Sequence, residues 1–157
     1  MHDDYLPVLE WIISGEGRIV WGGTKYKEEL KLASRFLKIF NELKKSDKIC
    51  KIDDKIVDDH ETIVKKLIKE HDFDDPHIAA IIRASGCRLV CTSDTRSIKY
   101  LKQNILYRKI CKKPKFYTKK SNASLLIKKN IGNCCMPIKI VSQEQKSILK
   151  KLFDSLF

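Results

Sequence analysis

Nowhere in the 157 residues is there an apolar run near the roughly 18 residues that a membrane span needs. The opening from Met1 to Trp11 has no basic stretch followed by an apolar one, so no secretory signal is read. No two cysteines form a C-x-x-C pair, and the four histidines lie far from the six cysteines. A structural zinc site and a disulfide-stapled mini-protein are therefore poor readings. The thiols are expected to stay reduced in a cytoplasmic protein, with Cys87 and Cys91 as small buried residues. Acids almost vanish from the back of the chain. Residues 99–157 hold 15 Lys and Arg against Glu144 and Asp154, a net of +13, whereas residues 1–98 carry a net of −1.

Hydrophobic residues make up 43% of the chain and charged residues 33%, enough apolar material for one core in one domain. A one-signed block behind a mixed one points to a polyanionic partner, and nucleic acid is the usual candidate. Lys far outnumbers Arg there, which favours contact with phosphates over reading of bases. Lys99, Lys102, Arg108, Lys109, Lys112 and Lys113 interleave with Tyr100, Tyr107, Phe116 and Tyr117. Charge beside aromatic rings is how single strands are held, although Tyr100 and Phe116 fit a core equally well.

Hydrophobic periodicity predicts a helix over 6–13, a buried strand over 18–21 and a long helix over 26–45 with Thr24 as its N-cap. An extended segment over 48–57 leads to a helix capped by Asp58 with Glu61 as its capping-box partner, burying Ile63, Val64, Leu67 and Ile68. Asp75-Pro76 opens the next helix, which stops at Gly86. A strand over 88–92, a helix over 96–104, a strand at Phe116-Tyr117 and a helix over 124–129 complete the pattern. Residues 1–131 are expected to form one domain, and residues 132–157 an extension carrying a short amphipathic helix or a flexible tail. Strands that are apolar throughout, separated by helices, imply an α/β fold with a parallel sheet, whose site lies at the carboxyl ends of the strands. Gly22-Gly23-Thr24-Lys25 lacks full phosphate-loop spacing and reads as a turn from strand to helix.

The acids expected at that edge are Glu28 or Glu29, Asp75 and Asp94. Carboxylates gathered together repel one another, and a hard divalent cation such as Mg²⁺ or Mn²⁺ resolves the repulsion. Each acid also has a structural alternative. Asp75 and Asp94 suit helix N-caps, and Glu28 and Glu29 suit the positive end of a helix.

Glu29-Leu30 early in a helix, Asp75-Pro76-His77-Ile78-Ala79-Ala80, and Leu89-Val90-Cys91-Thr92-Ser93-Asp94, in that order, resemble the PIN-domain family over about residues 18–131. The resemblance implies an α/β/α sandwich around a central parallel sheet, and a Mg²⁺- or Mn²⁺-dependent endoribonuclease acting through a metal-activated water. It implies Glu29, Asp75 and Asp94 as catalytic metal-binding acids, Thr92 as the hydroxyl beside the last of them, and Asp74 as a further ligand. The partners it implies are single-stranded RNA, an antitoxin-like protein and a second copy in a homodimer. The alternative is a catalytically degenerate PIN-like module that binds nucleic acid or a protein partner. The family's first strand, an apolar run ending in Asp, has no counterpart in Met1-His2-Asp3-Asp4-Tyr5. The expectation is a chain opening at an internal Met, or a degenerate member.

Overall fold

The fold comes from a computed structural model and is described for residues 2–156. Its elements are helix α1 (His2–Ser14), strand β1 (Ile19–Gly22), α2 (Thr24–Leu32), α3 (Leu37–Lys45), β2 (Ile49–Ile52), α4 (Asp54–Leu67), α5 (Pro76–Ser85), β3 (Leu89–Cys91), α6 (Thr95–Leu101), β4 (Lys115–Tyr117) and α7 (Gln143–Leu156). The architecture is α/β with parallel pairing, as the apolar strands imply. The strands nevertheless form two separate two-stranded sheets, β1 with β2 and β3 with β4, rather than one central sheet.

Side-chain alternation sorts the helices into layers. Ile19 and its register partner Ile49 pack with Ile12, Ile13, Ile39, Leu43 and Leu149 of α1, α3 and α7. Val20 and Ile52, on the other face, pack with Val57 of α4 and Ala80 and Ile81 of α5. The second sheet follows the same rule. Val90 packs against the cluster that holds Ile82 of α5, while the Tyr117 ring lies tilted against Tyr5 of α1, their centroids 5.8 Å apart. Helices α1 and α5 thus each span both sheets, one on either face.

Between the sheets lies an apolar cavity of about 520 Å³, lined by Ile19 and Val20 of β1, Leu89 and Val90 of β3, Val8 of α1 and Ile78 of α5.

The continuous helix expected over 26–45 is broken. Ala33 leaves helical geometry at φ −90°, ψ 44°, and a short 3₁₀ turn, Ser34–Phe36, separates α2 from α3. The two apolar stripes of that segment point to different faces, and one straight helix cannot bury both. α3 buries Ile39 and Leu43, whereas α2 buries nothing and ends with Leu32 at 87% exposure. Thr24 is not the cap; Gly23 holds that place, at the positive φ of 90° that glycine tolerates. α4 starts a turn earlier than expected, capped by Asp53, whose carboxylate accepts from the Ile56 amide at 3.2 Å. Asp58 therefore sits inside the helix, and the inner face is Val57 and Val64, with Ile63 and Leu67 exposed. The helix expected over 124–129 is instead two 3₁₀ turns, Lys120–Leu125 and Lys128–Asn130. The C-terminal stretch is a helix rather than a loose tail, with Leu149 of α7 fully buried against α3 and α1.

Candidate functional site

The carboxyl ends of β1 and β3 both open toward the N-terminus of α5. β3 follows α5 through a short turn at Gly86, which has the left-handed φ of 69° that ends a helix, so β3 runs back toward the helix start. β1 leads through Gly23 into α2, whose Glu29 reaches that same start.

Three acids line this edge, each with a partner. Glu29 extends from exposed α2, and its Oε2 lies 3.1 Å from Nε2 of His77, in the first turn of α5. Lys25, one turn back, stands 3.9 Å from its other oxygen. Asp75 occupies the N-cap of α5 but makes no cap bond to its own helix; its carboxylate accepts from the Ser97 hydroxyl of α6. Asp94 caps α6. Its Oδ1 accepts from the Arg96 amide at 3.0 Å, and both oxygens accept from the Arg96 guanidinium at 3.1 Å. That guanidinium, then the amide, hold the Asp94 carboxyl below the usual carboxylate range. Asp74 and Asp75 also act electrostatically on Arg96, so all three acids of the α5–α6 corner share one cation. Thr92 turns its hydroxyl onto its own chain, accepting from the Asp94 amide at 3.0 Å.

Glu29, Asp75 and Asp94 thus share one end of α5, linked by His77, Ser97 and Arg96 rather than by direct approach. Among the described residues no group of three or more His, Cys, Asp and Glu gathers closely enough to hold a metal ion. The acids as placed do not fit a divalent cation. Sequence reasoning missed these intermediaries. Arg96, two residues after Asp94, was legible as a local partner; Ser97 and the Glu29–His77 pair depend on tertiary packing. His77 is buried, and its Nδ1 has no hydrogen-bond partner among the described residues.

The expected nucleic-acid cations are all on the surface: Lys99, Lys102, Arg108, Lys109, Lys112 and Lys113. Lys99 is engaged by Asp72 at 3.7 Å and lies over the Tyr100 ring. Among the described residues the other five form no salt bridge, so their charge is free for a polyanion. The aromatic rings do not accompany them outward. Tyr100, Tyr107 and Tyr117 are buried and Phe116 packs against the core, so none offers a stacking platform. Their place between the cations reflects a helix and a strand that alternate inside and outside.

Two cationic groups result. Arg96, Lys99 and Lys102 belong to α6 and its end, beside the acids. Arg108 to Lys113 lie near the opposite end of α5, where the Cys111 thiol meets the Ile82 carbonyl. There Lys112, Arg88, Ser85 and Asn133 line a small polar depression. A ten-residue helix spans about 15 Å, which sets the scale of their separation.

Lys48 went unnoticed in the sequence. It is fully buried, its ammonium donating to the carbonyls of Gly15 at 2.8 Å and Gly17 at 3.3 Å, and desolvation lowers its pKa. It ties the end of α1 to the start of β2. The thiols beside the cavity shift the other way: neither is fully buried as expected, Cys87 being half-buried and Cys91 exposed onto the cavity, but desolvation by the apolar surroundings pushes Cys87 up to about 11 and Cys91 up to about 12. Both are raised above the 9.0 of an ordinary thiol. The unfolded chain therefore loses these protons first, and their stabilisation is complete below pH 9 and lost as pH rises toward 11 to 12. Lys48 opposes this, since its lowered pKa makes stability rise with pH just below 10.5. With two thiols against one amine, the urea midpoint is expected to fall between pH 8 and 11, and to fall less in a Cys87→Ala, Cys91→Ala double variant.

No family model matches this chain, and no curated protein or solved structure matches it. Among the described residues no helix is long and apolar enough to cross a membrane.

Proposed function

We propose that the chain is a PIN-like domain that binds single-stranded RNA, and that it cuts RNA as an endoribonuclease only where Glu29, Asp75 and Asp94 draw closer together than they stand here and take up Mg²⁺ or Mn²⁺. The observation that carries the reading is the placement of Glu29, Asp75 and Asp94, each through its own partner, at one end of α5 beside the exposed cations of α6. This is where α/β proteins of parallel topology keep their sites. Cations on α6 and over 102–113 supply phosphate contacts that need no base recognition. An acidic protein partner would compete for the same cations.

A second reading is a PIN-like module that binds RNA without cutting it. It is favoured by the engagement of the acid oxygens by Arg96, Ser97 and His77. Cleavage of a fluorescent single-stranded RNA with Mn²⁺, with and without EDTA, separates the two. Under the nuclease reading Asp94→Asn abolishes EDTA-sensitive cleavage and leaves or improves RNA binding. Asn caps helices as well as Asp does, so α6 is expected to survive the change. Binding with no EDTA-sensitive cleavage by the unaltered chain would leave the module reading alone.

A further inference from the structure

The cavity between the two sheets is bordered by two strand edges as well as by apolar side chains. β1 and β3 present facing edges across it, and among the described residues neither is paired on that side. In β1 the Ile19 amide bonds toward β2, so the amide and carbonyl of Val20, pointing the opposite way, face the gap. In the second sheet the Arg88 carbonyl and the Thr92 amide bond toward β4, so the backbone groups of Leu89 and Cys91 face the gap. The Leu89 carbonyl meets the weak donor Cys87 Sγ at 3.5 Å. Two rows of backbone donors and acceptors thus border an apolar space, and unpaired backbone groups in such a place are costly.

The walls above and below are apolar as well: Val8, Leu9 and Ile12 of α1 on one face, Ile78, Ile81 and Ile82 of α5 on the other. Both helices already bridge the two sheets, so they hold the edges apart and in line.

We propose that this space is a docking slot for one extended strand of polypeptide, apolar on both faces and matching the four residues of β1. The strand extends both ladders at once and joins the two sheets into a single five-stranded one, in the order β2, β1, incoming strand, β3, β4. β1 and β3 direct their carboxyl ends to the same edge, so the incoming strand runs parallel to both. Its side chains alternate between the α1 wall and the α5 wall, which is why it must be apolar on both faces, as strands buried between helix layers are. A small apolar molecule would fill the volume and leave both backbone rows unpaired. The slot is separate from the cationic surface, and the proposal does not rest on RNA binding.

Amide hydrogen exchange tests it on the whole chain. The probe is a short peptide of alternating isoleucine and valine, capped at both ends with glutamates for solubility. The expected result is exchange slowed roughly tenfold or more at Val20, Leu89 and Cys91 together. Trp21 and Val90, already bonded into the existing ladders, change much less. The same peptide with proline at its centre, lacking the donor, gives no such slowing. Slowing on one strand alone would mean edge addition and overturn the slot. A thermal shift without slowing at those three amides would mean an apolar-ligand pocket, and absence of binding, or slow exchange at all three before any peptide is added, would overturn it too.

Discussion

A chain carrying Lys109→Glu, Lys112→Glu and Lys113→Glu is expected to lose roughly two orders of magnitude in affinity for single-stranded RNA at low salt. All three ammonium groups are exposed, and among the described residues none forms a salt bridge. Their charge is available to phosphate, and folding owes them little. The dependence of log affinity on log salt is expected to shallow by about 2, from about 0.7 per lost contact on a single strand. Fluorescence anisotropy at several salt concentrations measures both quantities. Lys55→Glu is the control. Its ammonium is already paired with Asp59 at 2.9 Å on α4, and binding is expected to stay unchanged. An equal loss in the control would mean that net charge, not this surface, governs binding.

Leu149→Ala is expected to cost about 2–5 kcal/mol, out of a total stability of about 5–15 kcal/mol. Leu149 is fully buried and packs with Ile12 and Ile13 of α1 and Ile39 and Leu43 of α3. The truncation leaves a void at the meeting point of three helices, which cannot close without moving one of them. Ile140→Ala, at a side chain 89% exposed, is expected to stay within about 0.5 kcal/mol of the unaltered chain. Urea unfolding followed by circular dichroism compares the three. A small effect at Leu149 would mean that α7 docks only weakly on α1 and α3.

The legible parts of the fold were those encoded locally. Asp75-Pro76 starting a helix and Gly86 ending it mark α5 within a residue, and Asp94 caps α6 as its position suggests. The apolar strands were visible for the same reason, and their parallel pairing followed from the helices between them. Partnership between distant segments was not legible. Nothing near Leu30 or Leu37 says that the helix must break at Ala33, because the break depends on which stripe finds α1 and α7. Two capping candidates, Asp53 and Asp58, stand five apart, and the strand before them decides between them. At the acidic edge the residue types were readable and their company was not. Ser97 engages Asp75 only because α6 packs beside the start of α5. The buried tyrosines show the limit of reading alternation as function, since Lys99 and Lys102 flank Tyr100 and Leu101 merely because a helix turns one face to water.

Glu29 rides on α2, the one helix of the acidic edge that contributes no buried side chain. Its polar anchorage lies at one end, where the Gly23 amide meets Asp54 at 3.0 Å and Thr24 meets Asp58 at 2.9 and 2.6 Å. Beyond it Tyr26 packs against Val57, Ala80 and Ile81, and the later turn that carries Glu29 rests on α5 through the His77 contact. Asp75 and Asp94, seated on buried α5 and α6, are the fixed jaw, and the Glu29 carboxylate is the travelling one. The gap between the acids is thus adjustable from one side only, at little expense to the core.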